Sequence, residues 1–516
     1  MTTETLREIA SVVAAVGVLA FLLPLERPLS TTARRRLGLG LMGVGWIVLV
    51  GTLLPDDAAD NLSAARGLGA VIAILVALAA LWIGVRVVLA RPWIWFVLLA
   101  LALPIRLPVQ LGSQEANLLV PLYAVIALGL AAWIVGRARQ ADVCRSAGPT
   151  PIDLPLALFG AYLVLSSVWS GDPEEAAIKV VFFYLPFVVL FRLVVAWWPA
   201  APALRTLGIT TVALAVPVAL LAVGQYVARG GIIWNETLQQ ANVYSSFFRV
   251  NSIFFDPNIL GRFLVIAILA AVAMAWVTRS RGALIALAAS AGVMAAGLVV
   301  TFSRSAALGL IVGLALLAWY AFGPKRTLAV GGVLLVLFGA AAFVGSDNVR
   351  RAATSTERLD QVSEGRFDLV EGGLTIWRSE PIVGAGLGGF ENRFEASLDP
   401  AEQRRIRVIV SHNTPVTVLS EGGVIGALLF VALLAMTALN IGRGSRVGGA
   451  SGWAQWTMLA MLASIFVHSL LYSALFEDPF TWVIAGAAMA LGAAARAPAT
   501  AAVREAPPGV LAEPAT

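Results

Sequence analysis

Long apolar runs recur along almost the whole chain, and short polar segments separate them. Windows of about 20 apolar residues match the hydrocarbon thickness of a bilayer. Only helices that satisfy their own backbone hydrogen bonds can place so many such runs in lipid. The pattern therefore predicts an all-α polytopic membrane protein with about 13–15 transmembrane helices, and about 15 as the best estimate. The windows lie near residues 8–24, 37–54, 67–90, 92–110, 118–136, 153–169, 177–197, 207–225, 258–277, 282–301, 305–322, 327–345, 414–437, 453–474 and 480–495.

The charges between these windows alternate in sign along the chain. Loops that remain in the cytoplasm are enriched in arginine and lysine, so the alternation predicts that the N-terminus is outside. The acidic or mixed loops carry Asp56 and Asp57, Glu115, Asp172 to Glu175, and Glu477 with Asp478. The basic loops carry Arg34 to Arg36, Arg86 and Arg91, Arg137 to Arg145, Arg205, Arg279 and Arg281, Lys325 and Arg326, Arg443 and Arg446, and Arg496.

Two predicted external segments, 227–258 and 345–413, are too long to be simple turns, and loops of this length usually carry function. Within the second, Phe367, Val370 and Trp377 recur at helical spacing, which predicts an amphipathic helix over 365–378. A further short helix is expected over 401–408. The predicted organisation is N-terminal transmembrane helices (1–150), a transmembrane core with loop 227–258 (151–345), a large external catalytic loop (346–413), C-terminal transmembrane helices (414–495) and a disordered tail (496–516).

Composition narrows the possible chemistry only slightly. A mean hydropathy of +0.86 with 13% charged residues is far from soluble usage. The single Cys144 excludes an intramolecular disulfide framework and any multi-cysteine metal site. The net charge of +6 is ordinary for a membrane protein with basic loops, so no nucleic-acid partner is predicted. Membrane lipids are the predicted surroundings.

Several arginines break the charge rule by lying on the predicted outer side. The planar guanidinium binds phosphate through two donors, so a converging set would suit a pyrophosphate. The alternative is that each is a solvated loop arginine paired with Asp256, Glu371 or Glu380. Arg304 is the strongest candidate because it lies between two apolar spans, where an idle charge is costly. The set is Arg249, Arg262, Arg304, Arg366 and Arg378.

His412 ends the large external loop and is one of only two histidines. With Thr414 as the expected N-cap and Pro415 in the first helical position, it lies at a helix N-terminus. The helix dipole there disfavours imidazolium, so the ring is predicted to be a neutral base; the alternative is an incidental loop residue. Glu421, about two turns into the helix, needs a buried partner, and an outer-face arginine is expected. His468 is interpreted as a buried, hydrogen-bonded helix contact.

Other motifs carry less information. The segment from Gly384 to Gly389 has no strand–turn–helix context, so it predicts a tight turn before Phe390 rather than a dinucleotide site. Ser303 and Ser305 lack the setting of a hydrolase nucleophile. No cluster of metal-ligating residues is evident on the outer side, so neither a metal nor another cofactor is predicted.

Taken together, the motifs resemble the O-antigen ligase and O-antigen polymerase-like superfamily of bacterial membrane glycosyltransferases. They occur in the family's order over about residues 155–480, whereas the first 150 residues match little. The matching stretches are 166–173 (SSVWSGDP), 249–258 (RVNSIFFDPN), 301–304 (TFSR), 365–366 (GR), 381–388 (PIVGAGLG), 411–413 (SHN) and 421–426 (EGGVIG).

This resemblance implies a metal-independent inverting enzyme with a GT-C-like arrangement of transmembrane helices and a large external loop. It implies a polyprenyl-pyrophosphate-linked glycan as donor and a glycan or glycolipid as acceptor, on the outer face of the cytoplasmic membrane. By the resemblance, Arg304 and Arg366 would engage the donor pyrophosphate, with Arg249 a third, and His412 would be the essential loop histidine. Arg262 and Arg378 complete the predicted pyrophosphate set, and Asn413, Glu421, Asp256 and Asn258 are predicted organising residues.

Two rival functions remain open at this point. A flippase or exporter of lipid-linked glycans also has many spans and a basic cavity, although such proteins tend to carry internal repeats, and none is evident here. A non-catalytic scaffold that binds other envelope-synthesis proteins would not need His412. Within the enzyme interpretation, a ligase and a polymerase require the same donor site and differ only in the acceptor.

Overall fold

The structure, a computed structural model, describes residues 2–24, 30–53, 68–111, 114–139, 148–200, 202–229, 238, 242, 248–333, 366–398 and 411–496. Eleven helices in these ranges are long and apolar enough to cross a membrane. Three shorter apolar helices, Trp93–Ala102, Asp153–Trp169 and Pro479–Ala494, join them. The predicted all-α, multi-pass architecture is confirmed, while the count of about 15 spans and their direction stay predictions.

The described helices are numbered in chain order. They are α1 (Thr3–Leu22), α2 (Thr31–Leu53), α3 (Leu68–Ala90), α4 (Trp93–Ala102), α5 (Val120–Ala138), α6 (Asp153–Ser166), α7 (Pro173–Lys179), α8 (Leu185–Trp197), α9 (Ala203–Ala228), α10 (Pro257–Val277), α11 (Arg281–Val300), α12 (Arg304–Phe322), α13 (Arg366–Ser379), α14 (Phe390–Ser397), α15 (Thr414–Ser445), α16 (Gly449–Ser469) and α17 (Pro479–Arg496). A π-helical turn, Val180–Tyr184, joins α7 to α8.

The predicted span at 92–110 is wrong in its second half. Helix α4 ends at Ala102, and an antiparallel hairpin follows, with β1 (Leu107–Leu111) pairing β2 (Gln114–Leu118). Pro104 accounts for the break, because proline has no N–H for the next helical hydrogen bond and disfavours the helical conformation before it. The hairpin is the one exception to helical structure among the described elements.

The other predicted windows coincide with helices, except that 327–345 is helical only to residue 333 and then leaves the described residues. The amphipathic helix predicted over 365–378 is confirmed as α13. Its apolar side packs with α14 in a small cluster in which the Phe390 and Phe394 rings stack 5.7 Å apart. The helix expected over 401–408 and the predicted disordered tail both lie outside the described residues.

The bundle buries its helices unequally. In the most apolar windows, 83% of the segment Pro173–Trp197 and 72% of α10 are buried, against 11% for Ile72–Ala90 in α3. The segment α7–α8 and α10 therefore form the centre, whereas α3 offers nearly all of its surface to lipid. A central α10 holds the residues at its N-terminus, Asp256 to Asn258, among several neighbouring helices.

Candidate functional site

Three helices begin at one end of the bundle, and each N-terminus is capped by a side chain. Asp256 accepts hydrogen bonds from the first backbone amides of α10, and Ser303 does the same for α12. Helix α15 is capped by Asn413, not by Thr414 as expected, so Thr414 and Pro415 both lie in its first turn. Helix N-termini carry partial positive charge, which makes this end of the bundle favourable for an anion.

Asn258 joins two of these N-termini through its side-chain oxygen. Its Oδ1 accepts a hydrogen bond from Arg249 Nη2 at 3.0 Å and another from Ser303 Oγ at 2.9 Å. Arg249 also donates from Nε to the carbonyl oxygen of Thr301 at 3.1 Å. The guanidinium is therefore fixed against the turn that leads into α12, whose first residue is the exposed Arg304. The structure thus brings together three of the residues predicted from separate motifs.

His412 lies just before α15 in an unusual backbone conformation. Its φ is +53°, a left-handed value that is uncommon for a residue with a Cβ atom. The side chain is half-buried, and the centre of its ring is 6.2 Å from that of Tyr472. Such residues are often found at functional sites, where the surrounding structure holds them.

Tyr472 and His468 connect His412 to the arginine network. The Tyr472 ring packs edge-on against His468 with centroids 5.6 Å apart, and His468 Nε2 lies 3.2 Å from the carbonyl oxygen of Asn258. His468 is 1% exposed, which confirms the interpretation of a buried, hydrogen-bonded contact. Sequence reasoning missed Tyr472, because nothing distinguishes one tyrosine in the turn after a span from any other.

The groups around Tyr472 carry both signs of charge. Burial raises the pKa of the Tyr472 hydroxyl, and the negative Asp256 adds to this, while Arg262, Arg106 and Arg249 partly offset it. Tyr472 is therefore a neutral hydroxyl at physiological pH. Burial also lowers the pKa of Arg106, against the opposing effect of Asp478.

Arg262 has a different role from the one predicted. It is 2% exposed, its Nε lies 2.5 Å from Asp478 Oδ2, and its Nη1 donates to the carbonyl oxygen of Ala474 at 3.4 Å. A buried guanidinium that pairs with a carboxylate in this way is not available to bind a ligand. This geometry removes Arg262 from the predicted pyrophosphate set and makes it a structural contact between α10 and the start of α17.

Glu421 has a partner, but the expected arginine is wrong. Its Oε1 lies 3.5 Å from Nζ of Lys179, and the two side chains are 6% and 11% exposed. Lys179 is also 3.7 Å from Glu175, one turn before it on α7. Lysine pairs as a compact point charge. Lys179 lies inside a predicted span, and the sequence offered no reason to expect it as the partner of Glu421.

Close to Glu421, helix α15 is broken and a glycine-rich segment fills the break. Gly423 has φ +60°, inside what would otherwise be one continuous helix. The amides of Ala385 and Gly386 donate to the carbonyl oxygens of Ser420 and Glu421, each at 2.9 Å. Gly384, with φ +72°, has no room for a Cβ atom, which would lie 2.5 Å from the Glu421 carbonyl. The predicted tight turn is confirmed, and its function is to close the broken helix.

The motif at the end of α6, residues 166–173, contacts the same glycine-rich segment. Ser170 Oγ donates to the carbonyl oxygen of Leu387 at 2.6 Å, and the Gly171 amide donates to that of Ala385 at 3.1 Å. Tyr162 donates to the carbonyl oxygen of Gly422 at 2.8 Å. Three of the stretches that carry the family resemblance, 166–173, 381–388 and 421–426, are therefore packed together.

The remaining predicted arginines lie on α13. Arg378 is exposed near its C-terminus, and Arg366 begins the helix with a side chain outside the described residues. Helix α13 packs on the first turns of α15, where Gly373 leaves space for the Val416 side chain. It thus lies against the helix that His412 precedes. In the described part of the chain, no group of three or more His, Cys, Asp or Glu side chains is placed to hold a metal ion.

Comparison with known proteins gives one family match. Residues 289–431 match the model of the Wzy_C family, described as O-antigen ligase. The matched segment includes Arg304, Arg366, Arg378, His412 and Glu421, whereas Arg249 and Asn258 precede it. No curated protein matches the chain. The match confirms the resemblance inferred from the motifs and supports a membrane glycosyltransferase of the O-antigen ligase or polymerase type.

Proposed function

From the O-antigen ligase segment at 289–431, we propose that this multi-pass bacterial membrane protein transfers a glycan from a polyprenyl-pyrophosphate donor to a glycan or glycolipid acceptor. The reaction takes place on the outer face of the cytoplasmic membrane. The observation that carries the proposal is the chain of contacts that joins Arg249, Asn258 and Ser303 to His468, Tyr472 and His412.

The arginine half of this site suits the donor pyrophosphate. Arg249 is held by Asn258 and Thr301, and Arg304 extends from the N-terminus of α12 beside it. Two guanidinium groups together with the N-termini of α10 and α12 provide fixed positive charge where the leaving group gains negative charge. Arg366 and Arg378, on α13, complete the proposed pyrophosphate set.

The histidine half supplies the base. In the proposed step, His412 accepts the proton of the acceptor hydroxyl as that oxygen forms a bond to the anomeric carbon. The bond between the anomeric carbon and the pyrophosphate oxygen breaks, and polyprenyl pyrophosphate leaves with the bonding electrons. A single displacement of this kind inverts the anomeric configuration. General-base catalysis of this type typically contributes about 10²–10⁴-fold in rate.

The organising residues hold these two halves in place. Asn258 positions Arg249, Asp256 and Asn413 cap the helices that carry the site, and Glu421 with Lys179 fixes the broken part of α15. Tyr472 sets the position of the His412 ring through their contact.

The test is reconstitution of the purified full chain in liposomes with a lipid-linked oligosaccharide and a candidate acceptor. Wild type should form the transfer product, whereas His412→Ala and Arg304→Gln should lose transfer while remaining folded. Arg326→Gln is the matched control, since Arg326 is exposed and follows α12 at the opposite end of the bundle. Translocation of labelled donor without any transfer product would indicate a flippase instead. Normal transfer by His412→Ala would eliminate the proposed base.

A further inference from the structure

A second feature of the structure is a large cavity between the helices. A cavity of about 810 Å³ opens between α9, α10 and α11 on one side and α16 and α17 on the other. Its walls are almost entirely apolar, with Met274, Leu287, Met458 and Ile484 among the lining side chains. The volume falls within the range of about 300–1,000 Å³ that is usual for ligand pockets.

The cavity has a defined position along the helices. Its lining comes from the first halves of α9, α11 and α16 and the second half of α10, toward the end of the bundle opposite to His412, together with the first turns of α17, from Phe480 to Ala487. A helix of the length of α10 separates its two ends by about 30 Å. A lipid whose phosphate lies at the end opposite to His412 therefore keeps that phosphate far from the candidate site.

The edge of the cavity at the end of the bundle opposite to His412 is positively charged. Arg205 is one of the lining residues, Arg279 directly follows the lining residue Thr278, and Arg281 lies two positions before the lining residue Ala283. All three arginines are exposed, and within the ranges that the structure describes none of them makes an ion pair. Basic pockets between transmembrane helices are typical binding sites for anionic lipid head groups.

We infer that this cavity binds an anionic phospholipid. The acyl chains lie along the apolar walls between α10 and α16, where each buried methylene group contributes to affinity. The phosphate lies at the basic edge, in contact with Arg205 and within reach of Arg279 and Arg281. The occupant is a phospholipid because the walls require hydrocarbon, and it is anionic because the edge carries three positive charges and the described lining carries no carboxylate. The site does not depend on the proposed glycan transfer.

Native mass spectrometry of the full chain in detergent micelles tests this inference. Dioleoylphosphatidylglycerol and dioleoylphosphatidylcholine are added at equal concentration, and bound lipid is counted at rising collision energy. The anionic lipid should be retained about tenfold more strongly than the zwitterionic one. The double variant Arg205→Gln/Arg281→Gln should reduce this preference to about twofold or less. Arg326→Gln, an exposed arginine at the same end of the bundle, should leave it unchanged.

A second variant tests the walls. Ala270→Trp fills the middle of the cavity and should lower the retention of both phospholipids together. If this variant does not fold, the arginine variants still decide, since their side chains are exposed. Equal retention of the two lipids by wild type, or an unchanged preference in the double variant, would overturn the inference. Stronger retention of polyprenyl phosphate than of phosphatidylglycerol would overturn it as well.

Discussion

The pair formed by Lys179 and Glu421 makes a sharp prediction about the stability of the site. The lysine serves two carboxylates, with Glu421 at 3.5 Å and Glu175 at 3.7 Å, so the two halves of the pair are not equivalent. Lys179→Met leaves two carboxylates facing each other without a cation. Glu421→Gln leaves the lysine with Glu175. We therefore expect the lysine substitution to be the more damaging of the two.

The magnitudes follow from distance and burial. At 3.5 Å and an effective dielectric constant of about 20, the attraction between Lys179 and Glu421 is about 5 kcal/mol before desolvation is subtracted. Removing one partner of a buried ion pair typically costs about 3–5 kcal/mol, which we expect for Lys179→Met. Glu421→Gln should cost about 1–3 kcal/mol, because the attraction to Lys179 is lost but the lysine keeps Glu175 as a partner. The double variant should be more stable than Lys179→Met alone.

The assay is unfolding of the purified chain by sodium dodecyl sulfate, followed by tryptophan fluorescence and converted to free energies of unfolding. Arg393→Gln is the matched control. Arg393 pairs with Glu380 at 2.6 Å, and the two side chains are 52% and 32% exposed. Breaking an exposed pair should cost less than about 1 kcal/mol. The reasoning fails if Glu421→Gln destabilises the protein more than Lys179→Met, or if Lys179→Met behaves like the control.

Three further predictions concern the residues around the site. Burial and neighbouring carboxylates raise the pKa of Glu391 from 4.5 to about 7, so the folded state binds this proton more tightly than the unfolded state. Stability should therefore fall as pH rises from about 4.5 to about 7, and Glu391→Gln should flatten that slope in melting curves taken across the range. Gly384→Ala should lower the yield of monodisperse protein in size-exclusion chromatography, whereas Gly292→Ala, a helical position with open space around it, should be neutral or slightly stabilising. Asn258→Ala should release Arg249 and raise the KM for the lipid-linked donor about tenfold or more, with a smaller change in kcat, as steady-state transfer measurements would reveal.

The sequence predicts the spans well because a transmembrane helix is specified by local composition over about 20 residues. It also predicts the capped start of α15, since Asn413-Thr414-Pro415 carries its own turn chemistry. The one-residue error at Asn413 arises because neighbouring Asn and Thr are both acceptable caps. The error after Ala102 arises because hydropathy continues past Pro104, although the helix does not.

Pairing between distant helices is what the sequence does not contain. The sequence places Arg262 and Arg304 on the same outer face, and only the fold shows that Arg262 is buried against Asp478 whereas Arg304 is exposed at the start of α12. The partner of Glu421 depends in the same way on which helix packs beside α15. Tyr472 becomes important only through its contacts with His412 and His468. These contacts depend on three-dimensional packing, which no local pattern specifies.

The measurement that tests the central claim most directly separates donor binding from transfer. A fluorescent polyprenyl-pyrophosphate oligosaccharide is titrated against wild type, His412→Ala and Arg304→Gln, and single-turnover transfer is measured on the same preparations. A base that acts only on the acceptor should leave the Kd for the donor unchanged in His412→Ala while the transfer rate falls about 10²-fold or more. Arg304→Gln should weaken donor binding. A His412→Ala protein that retains transfer, or that loses donor binding as severely as Arg304→Gln, would contradict the account.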